Sequence, residues 1–505
     1  MVQMRKWQLL LNPDLDHSGG KASYRKIVDC LAGAIQSGRL EPGAALPGTR
    51  ELADILDVNR KTVILAYEEA IVKGWLVSEP RRGTFVNTLF APTAAPGKPS
   101  QKKRGAADDA SFAPDLVASD LPVYFDDLHV PSAQAGRTRD TMYFDNGAPD
   151  HRLLPQAVLH RYYRNAMKAA FKSNWVKYGN QESAEQLRTA LADMLRTTRG
   201  LAASASNICL TQGTQMALHL AAGALIRPGD VVLVERLSYP PAWAIFRALG
   251  AKIELVDVDQ DGCRVDQIEA LCRQRPVRLI YLTPHHQFPS TVSLRADRRQ
   301  KLLTVAQQHG FAIIEEDYDH EYHFEGRPYL PLASDARQRN VIYIGSLSKL
   351  LGSSFRCGFV VGPENLIGTL NKNQLLISTH GDTVVQKMLA DLIADGELRR
   401  HLRRASRLYR ARKDALLESL HGHFGERITL RNPEGGLALW VTFREDIDVD
   451  AMVRQAAGKQ LFVRSGRQFS PLDQAVNGLR LGFASMTPDE LALAVGRLHQ
   501  ASQQR

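Results

Sequence analysis

The sequence has little that would tie the chain to a membrane, a secretory route or a disulfide framework. Among its 505 residues no segment has the uncharged apolar length of a membrane helix, and residues 1–7 lack the apolar core of a signal peptide. Its five cysteines are scattered without paired metal-ligand spacing, so we expect reduced structural thiols and no metal site. We therefore expect a cytoplasmic protein that does not bind membranes.

Acidic residues are also in deficit. There are 54 of them against 64 lysines and arginines, which gives a formal net charge of +10. A basic balance suggests a polyanionic partner, provided that the charge is concentrated on one surface. A hydrophobic content of 44% is ordinary for a globular protein, and the length is too great for one ordinary domain, so we expect two or three.

Residues 20–88 have the pattern of a small DNA-binding domain. A first helix is predicted from apolar residues at helical spacing: Tyr24, Ile27, Val28, Leu31 and Ile35. A second begins after Thr49, a candidate N-cap, and a third begins after Asn59. Residues 75–77 and 83–86 then alternate as two strands joined by a basic turn. This order predicts a winged helix-turn-helix.

Basic and polar side chains are predicted on the surface of this domain that would meet DNA. In a helix-turn-helix the first turns of the recognition helix enter the major groove, while a wing follows the groove edge. The candidate DNA-binding residues are Arg50, Arg60, Lys61, Thr62, Arg82 and Gly83. The alternative is that these are ordinary solvated charges, as most surface arginines are.

Residues 89–140 differ from the rest of the chain. A proline-rich stretch leads into the basic run Lys102-Lys103-Arg104 without any hydrophobic period, and acidic residues follow from Asp108. We expect a flexible linker between two domains.

Residues 141–500 alternate between strand and helix patterns, which predicts an α/β domain with a mainly parallel sheet. The candidate strands are residues 231–234, 279–282, 312–314, 341–344 and 359–361. In doubly wound sheets, ligands bind at the carboxyl ends of the strands, and several of these ends carry polar residues.

Lys349 is the most informative of those residues. It lies between two apolar runs, where burial disfavours an ammonium ion and leaves a nucleophilic amine that can form a Schiff base with an aldehyde. Ser346 and Arg356 offer a hydroxyl and a guanidinium of the kind that hold a phosphate. Together they describe a pocket for pyridoxal phosphate. The alternative for Lys349 is a strand-end lysine that reaches solvent.

Other strand ends supply groups that suit the same cofactor. Gly213 and Thr214 open a helix whose backbone amides can hold a phosphate. Tyr239 offers a ring for stacking on a pyridine, and His286 a polar group for its phenolic oxygen. A carboxylate at the pyridine nitrogen would keep that nitrogen protonated.

The cluster Glu315-Glu316-Asp317-Tyr318-Asp319 provides that carboxylate and a phenol. In a strand, alternate residues share a face, so Glu316 and Tyr318 would lie together and Asp317 opposite, which favours Glu316 as the pyridine partner. Asp317, by its residue type, is the alternative.

Two sets of motifs resemble known families. Leu46-Pro47-Gly48-Thr49-Arg50-Glu51-Leu52-Ala53, followed by Asn59-Arg60-Lys61-Thr62-Val63 and Arg82-Gly83-Thr84-Phe85-Val86, resembles the winged-helix head of GntR-type transcription regulators. The stretch 283–289, the acidic cluster and Ser346-Leu347-Ser348-Lys349 with Arg356 resemble fold type I aminotransferases. The combination is similar to the MocR/PdxR-like subfamily of GntR regulators.

The resemblance implies roles for single residues. Lys349 would be the catalytic, Schiff-base lysine, and Arg480 would clamp an effector carboxylate, although a surface arginine at a strand end is the alternative for Arg480. The cofactor would be bound by Gly213, Thr214, Tyr239, His286, Glu316, Tyr318, Ser346, Lys349 and Arg356. The resemblance further implies a homodimer, which the long linker would allow to be head-to-tail and domain-swapped.

The chain also departs from the family pattern. Glu316 stands where the family usually has aspartate, and Ser183 and Thr291 stand where glycine is usual. These departures bear more on substrate geometry than on cofactor binding.

The sequence thus predicts an N-terminal winged helix-turn-helix (α+β) joined to an α/β fold type I aminotransferase-like domain with a smaller C-terminal α+β part. We expect a transcription regulator that binds operator DNA and senses a small amine, an amino acid or pyridoxal phosphate itself. A working pyridoxal phosphate-dependent transaminase with an accessory DNA-binding head is the alternative, and a scaffold that has lost its cofactor is a third.

Overall fold

The structure is a computed structural model that describes residues 22–88, 141–172, 181–326, 329–335, 340–379 and 381–503. The chain divides into two compact units between residues 119 and 120. The predicted linker, residues 89–140, lies outside the described residues. No helix in the described part of the chain is both long enough and apolar enough to cross a membrane.

The N-terminal unit has three helices followed by a two-stranded antiparallel sheet. Its core is formed by apolar side chains from all three helices and from both strands, among them the fully buried Ile27, Leu52 and Val63. In chain order the elements are α1 (Ala22–Gln36), α2 (Thr49–Leu56), α3 (Arg60–Val72), β1 (Leu76–Glu79) and β2 (Gly83–Val86). The arrangement is a winged helix-turn-helix.

The two predicted N-caps of this unit have different outcomes. Asn59 caps α3, because its side chain accepts a hydrogen bond from the backbone N–H of Lys61 at 2.9 Å. Thr49 does not cap α2: Gly48 occupies the N-cap position in an extended conformation and Thr49 is the first helical residue. The Thr49 hydroxyl instead accepts a hydrogen bond from Nε of Arg60 at 3.4 Å, which joins the two helices of the motif.

The C-terminal unit alternates strands and helices over most of its length. Its strands are β3 (Met142–Tyr143), β4 (Ile208–Thr211), β5 (Val231–Glu235), β6 (Lys252–Val256), β7 (Val258–Asp259), β8 (Gly262–Cys263), β9 (Leu279–Leu282), β10 (Ala312–Asp317), β11 (Val341–Ser346), β12 (Gly358–Val361), β13 (Ile428–Leu430), β14 (Ala438–Phe443), β15 (Leu461–Phe462) and β16 (Gly478–Gly482).

Its helices are α4 (Gln156–Lys172), α5 (Glu182–Arg199), α6 (Thr214–Leu225), α7 (Pro240–Ala248), α8 (Val265–Gln274), α9 (Ala296–His309), α10 (Ser348–Leu351), α11 (Glu364–Ile377), α12 (Thr383–Ala394), α13 (Glu397–Phe424), α14 (Val449–Gly458) and α15 (Pro488–Ser502).

A seven-stranded sheet in the order β4-β12-β11-β10-β9-β5-β6 organises this unit. Only β12 is antiparallel to its neighbours; the other strands run parallel. Every residue of β4, β9, β11 and β12 is buried, as expected for a sheet with helices packed on both faces. The prediction of a mainly parallel α/β sheet is confirmed, and the carboxyl ends of its parallel strands share one edge.

The C-terminal part forms a smaller α+β layer. The antiparallel sheet β13-β14-β16 packs with α13, α14 and α15 in a core that also includes α5 and α12. This layer brings β16, with Arg480 near its middle, toward the edge of the large sheet where the strands end.

Several strands run further than the sequence predicted. The residue pattern ended the third candidate strand at Ile314 and the fourth at Ile344, but β10 continues through Asp317 and β11 continues through Ser346. The acidic cluster therefore begins inside the sheet, where parallel pairing of Glu316 with Ile344 fixes which way each carboxylate points.

Candidate cofactor and effector site with a DNA-facing head

A cavity of about 300 Å³ lies at the carboxyl ends of the parallel strands. Its walls come from loops and helix ends that follow β4, β5, β9, β10 and β11, together with the segment after β3. The lining residues are Asn146, Thr214, Gln215, Tyr239, Tyr281, Thr283, Phe288, Glu316, Tyr318, Ser348, Lys349 and Arg356. Six of the residues predicted to bind a cofactor are therefore in one place.

Lys349 lies on this wall, on the short helix α10 directly after β11. Its Nζ donates hydrogen bonds to the carbonyl oxygens of Gly147 at 2.6 Å and Asn146 at 3.4 Å. Burial lowers the pKa of Lys349 below its usual value of 10.5, although the Asp145 carboxylate acts in the opposite direction. A lowered pKa increases the neutral, nucleophilic fraction of the amine at neutral pH.

One end of the cavity has the chemistry of a phosphate site. Gly213 is the N-cap of α6 with φ of +88°, and Thr214 begins that helix, whose first backbone amides have no partner within the helix. A side chain at Gly213 would meet the guanidinium of Arg356 at 3.0 Å, so the glycine allows the arginine to lie against the helix start. Arg356 itself has φ of +42°, a strained conformation for this residue type.

The structure does not place Ser346 on the cavity wall. Ser346 is buried at the end of β11, and its Oγ accepts a hydrogen bond from the backbone N–H of Ser348 at 3.1 Å. Ser348, two residues further on, lines the cavity instead. Because β11 continues through Ser346, this hydrogen bond joins the end of the strand to the turn before Lys349.

Alternation along β10 separates the acidic residues as the sequence predicted. Glu316 lines the cavity and accepts a hydrogen bond from the Tyr281 hydroxyl at 2.6 Å. Asp317 points to the other side, where Tyr343 donates to its Oδ2 at 2.9 Å. Burial raises the pKa of Glu316 to about 7, against the lowering effect of Tyr281 and of the Lys349 charge. A cationic ring nitrogen would stabilise the Glu316 carboxylate further.

Aromatic side chains form the rest of the wall. The ring of Tyr239 meets that of Phe288 edge to face, with centroids 5.5 Å apart. Phe288 packs in the same way on Tyr318 at 6.1 Å. These rings give the cavity the flat, apolar faces that a planar heterocycle needs.

Arg480 reaches the back of this aromatic wall and is 1% exposed. Its guanidinium donates to the carbonyl oxygen of Pro289 at 2.8 Å and to the Tyr318 hydroxyl at 3.2 Å, and it lies 4.6 Å from the centroid of Phe288. Its Nε has no hydrogen-bond partner, and among the described residues no carboxylate pairs with it. The arginine is thus a buried cation with capacity left for an anion.

The structure places His286 outside the cavity wall. Its ring lies 3% exposed beneath the wall, with Nδ1 2.7 Å from Oδ1 of Asp319, and only its backbone carbonyl reaches the site, where it accepts a hydrogen bond from Tyr318 at 2.8 Å. The role predicted for its side chain at a phenolic oxygen is therefore not supported by this geometry. Phe288, two residues further along the same loop, faces the cavity.

Sequence reasoning did not single out several lining residues: Asn146, Gln215, Tyr281, Thr283, Phe288 and Ser348. Gln215, Thr283 and Ser348 adjoin motifs that were noticed, so proximity to a strand end would have found them. Nothing in the local sequence marks Asn146, because a contact across about 200 residues brings its carbonyl to Lys349.

The two departures from glycine have different structural settings. Thr291 has φ of +64°, a left-handed conformation that glycine adopts freely and a β-branched residue does not, so this loop carries strain. Ser183 lies in the first turn of α5, is 1% exposed, and its hydroxyl donates to Gln386 at 3.0 Å. The position thus accepts a side chain without strain.

The candidate DNA-contacting residues lie on the surface of the N-terminal unit. Arg50, Arg60, Lys61, Arg82 and Gly83 are exposed, and Thr62 is half-buried on the first turn of α3. Arg82, in the turn between β1 and β2, pairs with Glu79 at 2.6 Å and lies 5.6 Å from the Phe85 ring centroid. Helix α3 and the wing thus each present cations to solvent.

The residues of the large unit fit pyridoxal phosphate. A lysine amine with a lowered pKa, an arginine against a glycine-opened helix start, a buried carboxylate and flat aromatic walls supply one partner for each chemical part of that molecule. The partnerless Nε of Arg480 adds an anion-binding group behind the same wall.

Each of the two units matches the model of a known protein family. The family model "Aminotransferase class I and II" matches residues 140–498, and "Bacterial regulatory proteins, gntR family" matches residues 23–86. The first of these families implies pyridoxal phosphate as the cofactor.

Relatives match over nearly the whole chain. The probable rhizopine catabolism regulatory protein MocR of Rhizobium meliloti is 30% identical over 494 residues, covering 96% of this chain and 95% of the relative. The HTH-type transcriptional regulator TauR of Rhodobacter capsulatus is 28% identical, covering 96% and 97%.

Among solved structures, the kynurenine aminotransferase of Pyrococcus horikoshii, determined in complex with PMP, is 26% identical with a TM-score of 0.68, covering 72% of this chain and 91% of that one. The aminotransferase match spans the large unit, and the gntR match spans the winged helix. The chain therefore belongs to the MocR-type GntR transcription regulators, in which a DNA-binding winged helix is fused to an aminotransferase class I and II domain.

Proposed function

We propose that this regulator senses a small amine, an amino acid or pyridoxal phosphate itself through its aminotransferase-like unit, and that ligand binding there changes its affinity for operator DNA. The observation that carries the proposal is Lys349, whose amine lies on the wall of the cavity and has a pKa lowered by burial. A lysine in this setting is suited to hold an aldehyde cofactor reversibly.

Different residues of the site would bind different parts of the cofactor. Arg356 and the backbone at Gly213 and Thr214 would hold the phosphate, Tyr239 would face the ring, and Glu316 would pair with the ring nitrogen. When bound, pyridoxal phosphate supplies an aldehyde that bonds covalently to a primary amine, so an effector amine competes with Lys349 for it.

Arg480 would favour amino acids as effectors. A buried guanidinium with an unused N–H and no carboxylate partner among the described residues is costly to maintain unless an anion reaches it. An effector carboxylate would supply that anion through charge-assisted hydrogen bonds. Effectors that carry both an amine and a carboxylate should therefore bind better than simple amines.

The DNA-binding half of the proposal rests on the winged helix. Arg60, Lys61 and Thr62 stand at the start of α3, the end of a recognition helix that contacts base edges. Arg50 and the wing residues Arg82 and Gly83 would contact the phosphate backbone. Together they would supply both a base-reading and a phosphate-binding surface.

A homodimer is part of the proposal. Exposed apolar side chains on two helices of the large unit support a second copy as their cover: Phe171 of α4 is 67% exposed, and Leu376 and Ile377 of α11 are 87% and 59% exposed. Two winged helices would then read two half-sites of an operator. An effector regulates such a dimer only if it binds one arrangement of the heads more tightly than another.

The test combines spectroscopy with DNA binding on the full-length protein. Purified wild type with pyridoxal phosphate is titrated with a panel of amines and amino acids while visible absorption and operator affinity are followed in parallel. We expect one or more compounds to shift both signals at the same concentration. Lys349→Ala should lose the borohydride-stable label on the lysine and the coupled response, whereas Lys252→Ala, at an exposed position on β6, should behave as wild type.

Two outcomes would contradict the proposal. Turnover of an amino donor with a keto acid, without any effect on DNA affinity, would support the transaminase with an accessory head. If wild type and Lys349→Ala give the same spectrum with pyridoxal phosphate, the large unit is a scaffold.

A further inference from the structure

A cluster of imidazole rings lies beneath the cavity wall, and none of the three histidines lines the cavity. Its members are His285 and His286, from the loop after β9, and His323, from the segment after β10. One ring nitrogen from each lies within 4.8 Å of the corresponding atoms of the other two. His285 and His286 are 4% and 3% exposed, and His323 is half-buried.

His285 is the central observation. Both of its ring nitrogens are buried and, among the described residues, neither has a hydrogen-bond partner. A neutral imidazole has one donor and one acceptor, and leaving both unsatisfied in the interior is unfavourable. The ring packs against His286 with centroids 4.3 Å apart and against His320 with centroids 4.8 Å apart, so its surroundings are other imidazoles rather than a matched carbonyl or hydroxyl.

His286 is already oriented as a metal ligand would be. Its Nδ1 donates to Oδ1 of Asp319 at 2.7 Å, which fixes the tautomer and leaves Nε2 with a free lone pair. A carboxylate that holds the far nitrogen of a histidine is the usual outer partner of a metal-bound imidazole, because it fixes the ring and increases its basicity.

His323 completes the set from a second segment. Its backbone pairs with Gly435 in an isolated bridge, and its two ring nitrogens lack partners within the described part of the chain. A side chain at Gly435 would come within 2.9 Å of Nε2 of His286, so the absence of a Cβ leaves room beside that nitrogen. Both ring nitrogens of His323 are buried although the residue as a whole is half-buried.

We propose that His285, His286 and His323 bind one divalent transition-metal ion, of which Zn²⁺ is the best match. Imidazole nitrogens are preferred ligands of Zn²⁺, which is usually tetrahedral. Zn–N distances of about 2.0–2.1 Å require ligand nitrogens about 3.3 Å apart, so small side-chain rotations would close the present spacing. The fourth position would hold water.

The ion would be structural. None of its three ligands lines the cavity, but the Tyr318 hydroxyl on the cavity wall donates to the carbonyl oxygen of His286. An ion here would join the loop after β9 to the segment after β10, and so stabilise the wall that carries Phe288 and Tyr318. This site does not depend on the effector-sensing proposal. It departs from the sequence-based expectation of no metal, which rested on cysteine spacing alone.

The experiment measures metal content and thermal stability of the full-length protein. Wild type is dialysed against a chelator, then against buffer, and titrated with Zn²⁺. We expect about one ion per chain by elemental analysis and a rise in Tm of about 2 to 5 °C at saturating Zn²⁺, since a ligand that binds only the folded state stabilises it. The doubly substituted His285→Gln/His323→Gln protein should lose both effects.

The matched control is His309→Gln, because His309 is an exposed histidine at the end of α9. This variant should bind Zn²⁺ as wild type does. If the double variant does not fold, His323→Gln alone tests the site, because a half-buried histidine can be replaced at lower cost; it should weaken Zn²⁺ binding by about tenfold or more. The proposal is overturned if wild type binds no Zn²⁺, or if the variant that folds retains wild-type metal content.

Discussion

The two units of this chain both display cations for anionic ligands, but they do so in opposite settings. In the winged helix, Arg50, Arg60 and Arg82 stand in solvent, and Arg82 has a carboxylate neighbour in Glu79. In the large unit, Arg480 is 1% exposed and Lys349 lies on the wall of the cavity. The first setting suits a long polyanion, whereas the second suits a single small molecule.

The difference follows from desolvation. An exposed arginine is solvated before and after it meets a phosphate, so each contact contributes little and depends on salt. A buried cation has already lost its water of hydration, so an anion that reaches it interacts strongly with it. A ligand without a negative charge at that position leaves the cation unpaired. We therefore expect substitutions in the cavity to change which ligand binds, and substitutions in the head to change how tightly DNA binds.

The largest effect in this comparison is expected at Arg480. Arg480→Met keeps the length of the side chain and removes its charge, so an amino acid should lose about 2 to 5 kcal/mol of binding free energy. The matching amine without a carboxylate should bind as before. Both are measured by titrating the visible absorption band of the cofactor-loaded protein. Equal losses for the two ligands would assign Arg480 to packing on Phe288.

A smaller effect is expected at Arg60. Arg60→Ala should weaken operator binding by about 1 to 3 kcal/mol if this side chain reads a base, and it should relax sequence preference at that position. Fluorescence anisotropy with operator DNA selected by the full-length protein measures both. Arg39→Ala is the control, because Arg39 is exposed beyond α1 and away from the recognition helix. Unchanged affinity for Arg60→Ala would leave it as a solvated charge.

The pH dependence of Lys349 tests whether this cavity residue is desolvated. Burial disfavours the ammonium form of Lys349, so its pKa in the folded protein is lowered. The free-energy cost of burying the charge is lost as the pH rises through that lowered pKa. The rate at which pyridoxal phosphate is trapped on Lys349 by borohydride should therefore reach half its plateau below pH 10.5. Each unit by which the pKa of Lys349 is lowered increases the fraction of neutral amine at pH 8 about tenfold. A midpoint at or above 10.5 would indicate a solvated amine.

The smallest effect is expected at the wing. Arg82→Ala should change affinity at moderate salt by less than about 1 kcal/mol and reduce the slope of log affinity against log salt by about 1. Glu79→Gln is the informative partner variant, because it releases Arg82 from its ion pair without removing the cation. A wild-type salt slope for Arg82→Ala would show that the wing does not meet a phosphate.

Local patterns in the sequence predicted a large part of both units. Asn59 was identified as a cap because a short side chain with an oxygen satisfies the first amides of a helix whatever surrounds it. Glu316 was separated from Asp317 because alternation along a strand is a property of the backbone itself. Both inferences needed only neighbouring residues.

Inferences that depended on distant contacts were less successful. Thr49 was predicted as a cap, but Arg60, eleven residues away, engages its hydroxyl. Ser346 was predicted to hold a phosphate because its hydroxyl lies three residues before Lys349, but in the structure that hydroxyl accepts a hydrogen bond from the Ser348 amide. His286 has the residue type of a cofactor ligand, and its pairing with Asp319 beneath the wall is not visible in the sequence.

The sequence by itself determined the order of the two units, the helix and strand periods within them and the residues at strand ends, because propensity, capping and alternation act over a few neighbouring residues. The tertiary structure alone decided that Arg480 is buried behind Phe288, that the carbonyl groups of Asn146 and Gly147 hold Lys349, and that three histidines from two segments meet. Those contacts join residues far apart in the chain. The parallel pairing of β9 with β10 brings the histidine segments together, and β16 of the C-terminal layer carries Arg480 to Phe288.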